Sequence, residues 1–260
     1  MVIHYLMNHS MQKKTSCNNY INLIIYISGI ILLLVIWSII SAVKDSFLFP
    51  NLIEISKSLT NILSETDTYK MLFITVGRII ISLGISYVIS LIILMIYYFY
   101  KPSINLFRPA LTIMKSMPLI IITLFIWLIM PVYNGIYVVC IFMTLPLIVE
   151  SLISGIDSID KEVTDYLKLD TNKSIKSLIF IQFPLIKNNF MLSLFQTLGL
   201  SFKVMIMSEY IFNIKNSIGK DLSSIKANLE MDYLLAWAII IIILVSIIEL
   251  ILKKLKTNIN

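Results

Sequence analysis

The sequence predicts an all-α membrane protein with about six membrane-spanning helices and one long loop outside the bilayer. Three observations carry that expectation. Of the 260 residues, 58% are hydrophobic and 14% charged, and mean hydropathy is +0.90. A water-soluble domain is about 25% charged and leaves a sizeable part of its chain in water, so lipid must be part of this protein's solvent. Six runs are mostly apolar over roughly the 20 residues that cross a bilayer at 1.5 Å each. No stretch alternates apolar and polar residues as a strand does.

The first run, 21–43, follows Lys13 and Lys14. It outlasts the roughly 7–15 apolar residues of a signal peptide and reads as an uncleaved first span behind a polar tail, 1–20. Residues 44–260 form the main membrane domain. Its spans are expected at 71–99, 105–130, 132–154, 186–213 and 233–252. Tyr100-Lys101-Pro102-Ser103 separates the second from the third, and Met130-Pro131 the third from the fourth. Tyr97-Tyr98-Phe99-Tyr100 beside Lys101 reads as an interfacial aromatic belt. Between spans four and five lies a polar loop, near 155–185. Ile159, Val163, Tyr166 and Leu167 fall on one helical face there, with charges around the rest. A second short helix, from Asn172 to Phe180, follows and breaks near Pro184.

Charge sets the expected orientation. With the N-terminus inside, twelve cations face the cytoplasm (Lys13, Lys14, Lys101, Arg108, Lys161, Lys168, Lys173, Lys176, Lys187, Lys253, Lys254, Lys256). Six face outward (Lys44, Lys57, Lys70, Lys215, Lys220, Lys226). Lys and Arg gather on the cytoplasmic side, so both termini are placed in the cytoplasm. The same rule accounts for the net charge of +6 without a nucleic-acid partner, because no basic stretch is interleaved with exposed aromatics. Cys17 and Cys140 suggest no disulfide framework. His4 and His9, near one terminus, belong to no metal-ligand cluster.

The loop resembles a known family. Glu162-Val163-Thr164 through Ile181-Gln182-Phe183-Pro184 is similar to the EAA loop of binding-protein-dependent ABC importer permeases, with Glu162, Ile181 and Pro184 in register. Val163 and Thr164 replace the two alanines, and Lys168 stands where a glycine is usual. The resemblance runs on from about Phe49 to the C-terminus and points to the nitrate/sulfonate/taurine type. Leu48-Phe49-Pro50 looks like the Leu-Pro-x-Pro before the core, and Thr75-Val76-Gly77-Arg78 like Ser-Leu-x-Arg. Lys115-Ser116-Met117-Pro118-Leu119 resembles Arg-Pro-Ile-Pro-Pro. Leu200-Ser201-Phe202-Lys203 through Ser208-Glu209 looks like Ser-Trp-Lys…Ala-Glu, and Ser217-Ile218-Gly219-Lys220-Asp221-Leu222 like the Gly-containing external loop.

The resemblance implies a type I ABC importer permease fold in the bacterial plasma (inner) membrane. It implies a cytoplasmic ABC ATPase dimer, a second permease copy and an extracytoplasmic substrate-binding protein as partners. In that scheme Glu162, Val163, Thr164, Asp165, Leu167, Lys168 and Pro184 couple to the ATPase. No cofactor is expected. Gly219-Lys220 is the only Gly-Lys pair; it is followed by Asp221 and lacks the earlier glycine of a P-loop. ATP hydrolysis is therefore assigned to a separate polypeptide.

Ionisable groups at membrane depth are costly and usually face a bundle interior or a hydrated path. The candidates are Arg78, Lys115, Lys203 and Glu209, with Gln196 on one stripe with Lys203 and Ser201 on a neighbouring one. Arg78 reads either as a path residue or as a cation snorkelling to headgroups. Lys115 is expected against a carbonyl freed by Pro118. Glu209 reads as a partner for another helix, and for Lys203 of a second copy. A secondary transporter would carry internal repeats, and none is evident. An amino-acid or thiamine-precursor importer shares the same loop and stays open.

Overall fold

In a computed structural model of the chain, the described residues are 24–43, 48–160, 162–163 and 175–259, the last five by backbone alone. Among them the chain is helical, with no strand. The helices are α1 (Ile24–Val43), α2 (Leu52–Ser64), α3 (Thr66–Phe99), α4 (Ile104–Ser116), α5 (Leu119–Ile129), α6 (Val132–Asp157), α7 (Ile175–Leu185), α8 (Lys187–Phe212), α9 (Ile218–Asn228) and α10 (Met231–Ile259). Five are long and apolar enough to cross a membrane: α1, α3, α6, α8 and α10.

A sixth candidate crossing is a bent pair of helices. The expected single span 105–130 is instead α4 and α5, bent by 104° at Met117-Pro118. Proline drives the preceding residue out of the α region, and Met117 is extended at φ −70°, ψ 129°. Both halves still connect opposite ends of the molecule. Lys101 Nζ, just before α4, lies 2.9 Å from Asp157 at the last turn of α6. Ile126, near the end of α5, packs beside Gly135 at the first turn of α6. The pair thus climbs the full length of α6.

α6 is the central helix, lying against α3 and α8 and flanked by α4 and α5. Lipid is as apolar as leucine, so such helices associate through close packing and small residues. α3 supplies a stripe at Ser82, Ser86 and Ser90, all buried, and Ser86 Oγ meets Thr144 Oγ1 of α6 at 2.8 Å. Ile79, Ile122, Ile136, Val139, Cys140, Phe202 and Met205 fill the core where α3, α5, α6 and α8 meet.

Two short helices unannounced by the apolar pattern lie at the opposite end from Asp157. α2 starts on a capping box, Asn51 Oδ1 accepting from the Glu54 amide at 2.8 Å and Glu54 Oε2 from the Asn51 amide at 2.9 Å. It binds the start of α10 through Ser58 to Asp232 and Asn61 to the Tyr233 hydroxyl. α9 packs on α8 and α10, and Trp237 Nε1 donates to Asp221 at 2.6 Å. The last turns of α1 join this end, Trp37 Nε1 donating to the Pro50 carbonyl and Ser41 to that of Phe49. None of the apolar length of α1 is otherwise buried.

Two local expectations are corrected. Tyr97 and Tyr98 are buried, and the Tyr97 hydroxyl donates to Asp157 at 2.8 Å; only Phe99 and Tyr100 remain exposed as an aromatic belt would be. The short helix expected to stop at Phe180 continues as α7 through Leu185, with a π turn at Leu178–Gln182. Pro184 sits in a last short turn, Phe183–Leu185, and the break comes at Ile186.

Candidate functional site

α8 has two unlike faces. One packs into the chain through Ser193, Thr197, Ser201, Met205, Ser208 and Phe212. The buried hydroxyls bond back to carbonyls one turn earlier, Thr197 to Ser193 and Ser208 to Val204 at 2.7 Å each, so they need no water. The other face is open: Gln196 and Lys203 are exposed, and Tyr210 continues the stripe. Gln196, Lys203 and Tyr210 stand seven residues apart, two turns, on one line. Ser201 and Glu209 point the other way and do not join this surface.

Lys203 lies nine residues from Phe212, about 13 Å of helix, well inside the apolar part of the span. Among the described residues it has no carboxylate within 4 Å. Such a charge is expected to find a partner or a hydrated cavity, and the described residues give it no carboxylate at ion-pair distance.

Glu209 is fully buried and already committed. Arg78 Nη1 lies 2.6 Å from its Oε1, the Thr75 hydroxyl donates to both oxygens at 3.0 and 3.1 Å, and the Gly219 amide donates at 3.4 Å. One carboxylate thereby ties α3, α8 and α9 together. This corrects the expected pairing of Glu209 with Lys203 of a second copy, because no face of Glu209 is open to a second chain. Arg78 keeps only 11% of its side chain exposed, so it is a helix-to-helix ion-pair member and not a snorkelling cation.

Gly219 shows how closely α9 is held. A Cβ there would overlap the Tyr210 backbone nitrogen and come within 2.6 Å of the Glu209 Cβ. Only glycine permits this approach.

Lys115 also departs from expectation. It reaches not a freed carbonyl but Glu150 of α6, at 2.6 Å, with both side chains about half exposed. It pins the end of α4 beside the proline bend. Of the expected coupling residues, Glu162 and Val163 are helical and exposed, and Pro184 lies in α7. Thr164, Asp165, Leu167 and Lys168 lie outside the described residues. Sequence reasoning missed Thr75, Glu150, Asp157 and Gly219 as partners. Thr75, Glu150 and Asp157 meet partners at least 35 residues away, whereas Gly219 lies ten residues from Glu209, in the Gly-containing loop that the sequence singled out.

Among known proteins, no curated one matches the chain significantly. Residues 92–259 match the model of the family described as the binding-protein-dependent transport system inner membrane component. That match begins in α3, spans α4 to α8, and ends with α10. The chain belongs to the family of binding-protein-dependent transport system inner membrane components, and its multi-pass helical body is the permease of an ABC importer.

Proposed function

We propose that this permease carries a small anionic solute, of the nitrate, sulfonate, taurine or bicarbonate kind, along the open face of α8. The supporting observation is Lys203, a cation at membrane depth with no acidic partner among the described residues. It shares its stripe with Gln196, a neutral hydrogen-bonding group. A path lined this way favours anions, since a fixed positive charge in a low-dielectric wall focuses its field into the opening.

The family implies an ATPase and a substrate-binding protein as partners. In this reading the ATPase is a separate cytoplasmic dimer, and a second copy of the chain closes the path. Glu162 through Pro184 then dock on the ATPase and pass its motion to α6 and α8, the helices that bracket the segment. In this reading the Asp157 end faces the cytoplasm, on the twelve-to-six split of Lys and Arg across the full sequence. α2 and α9 then lie outside, where a binding protein would deliver solute. Six crossings bring both ends of the described chain to the cytoplasmic side, with α1 peripheral to the permease body.

The test is ATP-dependent uptake by the complex in proteoliposomes, with nitrate, taurine, bicarbonate and a thiamine precursor compared. Accumulation of one of the anions that needs both ATP and binding protein supports the reading. Accumulation of the thiamine precursor alone overturns the substrate class.

A further inference from the structure

A groove of about 570 Å³ lies between α8, α9 and α10. One wall is the open stripe of α8, with Lys203, Met207 and Tyr210; the other is apolar, from Leu234 to Ile242 of α10. Lys226 of α9 stands at its outer end, its ammonium 5.7 Å from the centre of the Tyr210 ring. Tyr210 is two turns above Lys203, about 10.5 Å along the helix. The groove therefore carries two cations, one at its mouth and one at depth.

No acid lines it. The carboxylates on its three helices near this end are engaged elsewhere: Glu209 with Arg78, Asp221 with Trp237, and Asp232 with Ser58. The lining itself thus holds two cations and no carboxylate, which suits a small anion. An apolar wall opposite two lysines also strengthens their field, because it offers no competing dipoles.

We propose that Lys226 is a selectivity residue of the transport path: it receives the anion at the outer end of this groove and hands it inward to Lys203. This rests on the anion reading above. A single deep cationic site would hold its anion too long, whereas two stations of moderate strength let it enter and leave. The cation–π contact parks the Lys226 ammonium over Tyr210 when no anion is present, a weak hold at an exposed site that an arriving anion can replace.

The experiment uses charge-matched thiol reagents on the assembled complex. In a Cys17→Ser, Cys140→Ala background, Met207→Cys places one thiol between the two lysines. Its reaction rates with 2-sulfonatoethyl methanethiosulfonate and 2-(trimethylammonium)ethyl methanethiosulfonate are compared. The anionic reagent is expected to react faster. Lys226→Gln should lower the anionic-to-cationic rate ratio several-fold, because loss of a nearby positive charge slows the anionic reagent and speeds the cationic one. Lys226→Arg should restore it. An unchanged ratio in Lys226→Gln overturns the proposal, as does a thiol that neither reagent reaches, which would mean that lipid or a second copy fills the groove. The readout needs no transported solute. A full ratio shift without anion uptake would overturn the substrate reading alone, and anion uptake without a shift would overturn the role of Lys226 alone.

Discussion

Arg78→Met removes the charged partner of a carboxylate that has no access to solvent. In that variant Glu209 keeps the Thr75 hydroxyl and the Gly219 amide, but its negative charge is uncompensated. Breaking a buried ion pair by deleting one member costs about 3–5 kcal/mol. The two surviving donors place the expected loss near the lower limit, about 3 kcal/mol. Glu209→Met should cost a similar amount, since it strands the guanidinium of Arg78, which is only 11% exposed. The double variant Arg78→Met/Glu209→Met leaves no buried charge and should recover most of the loss, because apolar replacements of a buried pair are often neutral or better. Equilibrium unfolding of the detergent-solubilised chain, followed by tryptophan fluorescence, measures all three. Single variants within about 0.5 kcal/mol of the parent, the range of unremarkable surface substitutions, would refute the claim that this carboxylate ties α3, α8 and α9 together.

Gly219→Ala should destabilise by about 1–3 kcal/mol as an overpacked site. Its Cβ meets helix backbone that cannot move aside, whereas Gly84→Ala in α3, with nothing within 4 Å, should not lower stability and should raise it by up to about 1 kcal/mol through helix propensity. Impermeant maleimide applied to intact cells should label Thr60→Cys on α2 and Ser223→Cys on α9 but not Asp165→Cys; labelling at 165 would invert the topology. Joint replacement of Asp165 and Leu167 should abolish co-purification of the ATPase while membrane insertion persists, and retained co-purification with normal uptake would remove the coupling role from this segment.

The spans were legible because bilayer thickness imposes a length on apolar runs that no tertiary detail overrides. α6 and α8 fall within a few residues of expectation, and the Met130-Pro131 break lies where two helices must part. Pro118 was equally visible, but a proline inside a span can kink or merely be tolerated, and only the packing of α4 and α5 along α6 shows a 104° bend. α2 and α9 were hidden because they are short and polar enough to read as loop. α9 is ordered by packing on its chain neighbours α8 and α10, and α2 by contact with α10, far away in sequence. The same distance hid the ion pair: Arg78 and Glu209 are 131 residues apart, and each is individually compatible with several partners. Gln196 and Lys203 were legible as one stripe from helical spacing alone. That Ser201 and Glu209 turn inward required knowing which face of α8 meets α6 and α3.

The most direct test of the account is Lys203→Met in the full complex. ATP-driven anion uptake in proteoliposomes is measured beside co-purification with the ATPase and thermal unfolding. Lys203 is exposed on the chain and has no acidic partner among the described residues, so assembly and melting should match the parent while anion uptake falls at least about tenfold, the effect of about 1.4 kcal/mol. Uptake equal to the parent's, or loss of assembly in place of uptake, would contradict an anion path along the open face of α8.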